Sequence, residues 1–93
     1  MGMSEIKFQN AVEARSYYDT VYDSIKSMSG YNYDLRKLYQ NCCTQIDELS
    51  KLEIRARQSK NYKPVEKKVL DMHEQIEMVE KWVLMLKLME PEN

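Results

Sequence analysis

Glycine and proline are scarce in this chain, two of each in 93 residues, and phenylalanine, tryptophan and histidine occur once apiece. An all-β sandwich or barrel needs turn residues at short regular intervals, and a disordered linker is rich in Pro, Gly and Ser, so both classes are excluded. The two cysteines, Cys42 and Cys43, are adjacent. Neighbouring thiols form neither a disulfide framework nor a C-x-x-C redox or zinc pair, and they fit a reducing, cytoplasmic setting. A basic segment followed by an apolar one is missing from the start, and no apolar run approaches the 18 or so residues of a membrane span. A net charge of −1 excludes a generic nucleic-acid coat.

Catalytic signatures are equally sparse. His73 lies at the edge of an acidic helical face with no second histidine, so a solvated or capping role is expected. Cys42 and Cys43 fall on or beside apolar stripes in mid-helix, where cysteine acts as a small hydrophobe. A glycine-rich phosphate loop is excluded because Gly30 is the only glycine away from the N-terminus. The expectation is a non-enzymatic protein with no catalytic, cofactor-binding or metal-ligating residues.

What is abundant is helical periodicity. Between positions 4 and 29, Ala11, Ala14, Tyr18, Val21, Ile25 and Met28 recur at steps of three and four, widened by Phe8 and Tyr22, and Gly30 supplies a stop. Asn32 is placed to cap a second helix over 33–60, with Asp34 near its positive end. That helix carries two apolar stripes, one of Leu35, Leu38, Cys42, Leu49, Leu52 and Ala56, the other of Tyr39, Cys43, Ile46 and Ile54. Two stripes require two neighbours. Asp47 with Lys51 and Glu53 with Arg57 have the spacing of helical ion pairs. Pro64 suits the first turn of a third helix over 64–89, where Val65, Val69, Met72, Ile76, Val79, Val83 and Leu86 form a heptad seam, closed by Pro91.

Three helices joined by short turns predict one all-α domain over residues 1–93, an elongated antiparallel three-helix bundle with flexible ends at 1–3 and 91–93. An open alternative pairs helices two and three and completes the bundle with another chain. The surplus of apolar residues at the end of helix three makes self-association the expectation. Beyond the seam, Met78, Trp82, Met85 and Met89 make a second stripe, and Leu70, Leu84 and Leu88 lie on yet another side. Buried under helices one and two, they would be core; otherwise they form an interface for a homodimer or a partner helix. Met and Trp suit the latter, Met by its adaptable side chain and Trp by the area it buries.

Two further features bear on partners. Most of the seven tyrosines lie near the junction of helices one and two, where rings at the core periphery with wet hydroxyls are expected. Half of the 14 basic residues, Lys51, Arg55, Arg57, Lys60, Lys63, Lys67 and Lys68, lie around the turn between helices two and three with Tyr62 among them. This patch gives an alternative function, a nucleic-acid-binding helical module, although a solvated tip accounts for it more simply.

Overall fold

The computed structural model describes residues 6–28 and 32–89. It contains three helices, α1 Ala11–Lys26, α2 Tyr33–Ser59 and α3 Lys63–Met89, in a body 55 × 28 × 18 Å in extent. The bundle is therefore elongated, with α2 antiparallel to both neighbours and α1 parallel to α3. Contacts mark the directions: Ala11 meets Glu53 and Tyr18 meets Tyr39 across α1 and α2, while Tyr17 meets Glu80 across α1 and α3.

Apolar periodicity produces one core. Ala14, Tyr18, Val21 and Ile25 of α1, Leu35, Tyr39, Cys42, Ile46, Leu49 and Ala56 of α2, and the seam Val65 to Val83 of α3 are buried together. Leu38, Cys43, Leu52 and Leu86 are partly buried against them. Both stripes of α2 are thus used, as a helix between two neighbours requires. Ile54 is the exception and stands exposed.

The first helix starts seven residues later than its apolar spacing predicts. Asn10 interrupts it as an N-cap, its side chain accepting the Glu13 N–H at 2.9 Å, and the Glu13 carboxylate accepts the Gln9 N–H in return. Reciprocal bonds of this kind satisfy donors that a helix start leaves free. The Glu53 carboxylate takes another, the Ala11 N–H at 3.0 Å, instead of pairing along α2 with Arg57 as the spacing predicts. Asp47 likewise reaches across to Arg15 at 3.7 Å, an exposed contact. Upstream of the cap, residues 6–10 form a non-helical strap, and Phe8 is buried from there.

Helix α1 ends at Lys26, where Ser27 donates to the Asp23 carbonyl. The predicted stop at Gly30, the closing Pro91 and both predicted flexible ends lie outside the described residues. Asn32 caps α2 as expected, accepting the Leu35 N–H at 2.8 Å. At the other end Lys60 adopts a left-handed conformation, φ 60°, and its N–H returns to the Ala56 carbonyl. A glycine would hold that position at lower cost. α3 starts one residue before Pro64 and runs unbroken to Met89.

Candidate interaction surface

The end of α3 carries the largest concentration of exposed apolar side chains among the described residues. Met78 and Met85 are 61% and 59% exposed, Leu84 59%, Leu88 77% and Met89 74%. Trp82 differs from them, being half-buried and packed against the core. The six residues predicted as one partner surface are thus divided by the helix itself. At about 100° per residue, Trp82 continues the row of Lys68 and Gln75, which bond to Glu48 and Gln45 of α2. Met78, Met85 and Met89 extend from that edge over the outward face. Leu84 turns towards α1 and helps line a groove of about 340 Å³ with Val21, Ser24, Val83 and Lys87, while Leu88 lies outward between Leu84 and Met85.

The basic residues are shared out instead of gathered. Lys68 is largely covered and pairs with Glu48 at 2.6 Å, which holds that carboxyl below its usual range. Lys51 and Arg55 leave α2 on its solvent side, while Arg57 lines a shallow groove of about 610 Å³ beside Val12, Glu13, Glu53 and Tyr62. Lys60, Lys63 and Lys67 are exposed around the turn. A second groove of about 490 Å³ shares Gln9, Tyr62 and Val65 with the first and is lined by Ile6 and Leu70. Of these exposed apolar groups at the far end of the bundle, Leu70 belongs to the side of α3 that also carries Leu84 and Leu88, Tyr62 sits among the basic residues, and Ile6 belongs to no periodic stripe.

His73 is the clearest departure from the sequence reading. It is buried, not solvated, with Phe8 stacked on its ring at 4.0 Å and 19°. Its Nε2 accepts the backbone N–H of Lys7 at 2.8 Å, which leaves the proton on Nδ1, donated to the Val69 carbonyl at 2.8 Å. The strap is therefore fastened to α3 by the one histidine. Lys7 also reaches Glu80 at 3.3 Å, and the Tyr17 hydroxyl donates to the same carboxylate. The Tyr17 hydroxyl and Glu80 raise the Lys7 pKa against the lowering effect of burial, while burial first and Glu80 second raise that of Tyr17. A sequence separation of 66 residues hides this arrangement from any local pattern.

Tyr17 and Tyr22 sit at the core periphery as expected, but two of the tyrosines go deeper. Tyr18 and Tyr39 are buried, the Tyr39 hydroxyl donating to the Tyr18 carbonyl at 2.7 Å, while the Tyr18 hydroxyl is buried without a hydrogen-bond partner in the structure. Burial raises both phenols. Tyr22 stacks on Tyr39 at 5.6 Å, Tyr33 and Tyr62 are exposed, and Tyr31 lies outside the described residues. Both cysteines are free thiols, Cys42 buried and Cys43 half-buried. Burial pushes the Cys42 thiol up to about 11, and Cys43 upward as well. Such thiols are poor nucleophiles.

Among the described residues, no cluster of three or more His, Cys, Asp or Glu side chains is arranged to hold a metal ion, and no helix is long and apolar enough to cross a membrane. No protein-family model, curated protein or solved structure matches the chain.

Proposed function

We propose that this chain is a non-enzymatic protein–protein interaction module, a small helical adaptor, chaperone or inhibitor, which works by dimerising or capturing a partner through the last turns of α3. One observation carries the proposal: five large apolar side chains there are each 59% to 77% exposed, beside a bundle whose seam is otherwise closed. Full burial of such a side chain is worth roughly 1.5 to 3 kcal/mol, so together these five leave on the order of 5 to 10 kcal/mol of burial unrealised. That is comparable with the entire stability of a domain this size, roughly 5 to 14 kcal/mol. Exposed apolar surface on this scale is characteristic of interaction sites, and Met78, Met85, Leu88 and Met89 share the outward side of α3. The free thiols support the placement of the protein in the reducing cytoplasm.

Met85 is the better probe than Trp82, since truncating the half-buried tryptophan also removes core packing. The test is dye binding and light-scattering mass for the natural chain and for Met85→Lys at matched helicity. Association, or binding of an apolar dye, that the variant abolishes supports the proposal. A monomer that binds no dye, or association the variant leaves intact, overturns it. The alternative, nucleic-acid binding, draws on the exposed Arg57, Lys60, Lys63 and Lys67 near the exposed Tyr62 ring. It requires binding that weakens steeply with salt and with Lys60→Glu or Lys63→Glu.

A further inference from the structure

We infer that the occupant of this surface is a second copy of the chain, its α3 laid antiparallel across the first, with the two-fold axis passing between the levels of Trp82 and Met85. The inference rests on the proposed interaction role and specifies its partner and geometry.

The stripe Met78, Trp82, Met85, Met89 has steps of four, three and four, which read the same in either direction. Reversed and superposed, Met78 lies over Met89 of the second copy and Trp82 over its Met85, so every member meets an apolar side chain. A shift by one heptad towards the start of α3 would instead set Met85 against Gln75 and Met89 against Asp71. Further along the same outward face come Lys67, Asp71 and Glu74, all exposed, with Lys81 amid the stripe. In a parallel pair each of these would meet its own copy, lysine against lysine and carboxylate against carboxylate. Antiparallel pairing at this register instead carries Lys67, Asp71 and Glu74 past the second copy's Met89. Opposition of like charges at an interface is penalised, and this arrangement avoids most of it.

The area also fits. A large side chain of this kind represents about 60 to 120 Å² of apolar surface. At the exposures of Met78, Met85, Leu88 and Met89, two chains would cover on the order of 300 to 650 Å² before Trp82 is counted. That approaches the apolar share of a small stable interface, which buries about 1,200 Å² in total. An outward helix ridge offers no concavity for a small ligand, and a two-fold pair closes on itself, which a head-to-tail contact does not.

The geometry is tested by cysteine cross-linking in a Cys42→Ala, Cys43→Ser background, alongside light scattering on the natural chain. In an antiparallel pair, position 85 lies within about 5 Å of its own copy along the axis, whereas positions 78 and 89 lie roughly 16 Å from theirs. Met85→Cys alone is expected to cross-link. Met78→Cys and Met89→Cys are each expected to fail alone and to cross-link when mixed. Self-linking at 78, 85 and 89 alike would mean a parallel pair and overturn the inference. A monomeric natural chain at all concentrations would overturn it too, yet leave the broader proposal standing if Met85→Lys still abolishes apolar dye binding. A dimer unmoved by Met85→Lys would overturn both.

Discussion

Replacing Phe8 by alanine is the sharpest test of how the N-terminal strap is held. The ring is 1% exposed, stacked on His73 and set edge-on to Tyr18 at 5.7 Å. Phe→Ala in a closed core costs about 3 to 5 kcal/mol, and the lost ring contacts add to burial. Against the roughly 5 to 14 kcal/mol available to 93 residues, that is about a fifth of the total or more. At about 4 to 8 °C per kcal/mol for a domain near this size, the melting temperature should fall by at least about 12 °C. Urea unfolding followed by circular dichroism and Trp82 fluorescence measures the loss. A double-mutant cycle with His73→Ala should return a coupling of about 0.5 to 1.5 kcal/mol, because the stack and the Lys7 bond share one imidazole. A loss below about 1 kcal/mol, with an unchanged dependence on urea, would refute the reasoning: the strap would then contribute little to the closed bundle.

Glu53→Gln removes the negative charge from the start of α1, where it accepts the Ala11 N–H; a loss of about 0.5 to 1 kcal/mol is expected in urea titrations, diminishing with added salt. Lys60→Gly relieves the left-handed backbone at the α2 terminus and should raise the urea midpoint by the equivalent of about 0.5 to 1 kcal/mol without altering the slope. For alkaline stability the sign follows from burial: the Cys42 pKa is raised from 9.0 to about 11, so its contribution is full below pH 9. Above that the unfolded chain releases a proton that the folded one keeps, and stability falls by about 1.4 kcal/mol per pH unit until the folded thiol ionises. Cys42→Ala should flatten the fall of stability between pH 9 and 11 in denaturant titrations at stepped pH, and an unchanged pH slope would contradict the assignment.

The seam of α3 was legible because a heptad repeat states its own geometry: every position from Val65 to Val83 that it selects is buried. The cap at Asn32 was legible for a similar reason, since capping is local chemistry. The start of α1 was equally written in the chain, in Asn10 followed three residues later by Glu13, but the apolar spacing carried the eye through to Phe8. Phe8 kept its core role while leaving the helix. His73 could not be read locally, because what buries it is Lys7 and Phe8 from the opposite end of the sequence. Glu53 was misassigned on the same principle: a helical spacing suggests a pair within the helix, and a free N–H on a neighbouring helix proved the closer partner. For the apolar end of α3, spacing already set Met78, Met85 and Met89 apart from Leu84, while the contact of Leu84 with the groove beside α1 needed the neighbouring helices in place.

The fastening of the strap has a consequence for the order of events during synthesis. Phe8 and Lys7 leave the ribosome well before the histidine that seats them, 66 residues later. At about 5 to 20 residues per second, that interval is on the order of 3 to 13 s. Throughout it the phenylalanine has no ring to stack on, and Lys7 and Tyr17 have no Glu80 to meet. The hairpin of α2 and α3 can close as soon as both have emerged, whereas residues 6–10, translated before either helix, are among the last to find their place. In a nascent chain the strap is thus a waiting apolar segment, and it becomes part of the bundle only once α3 has been made.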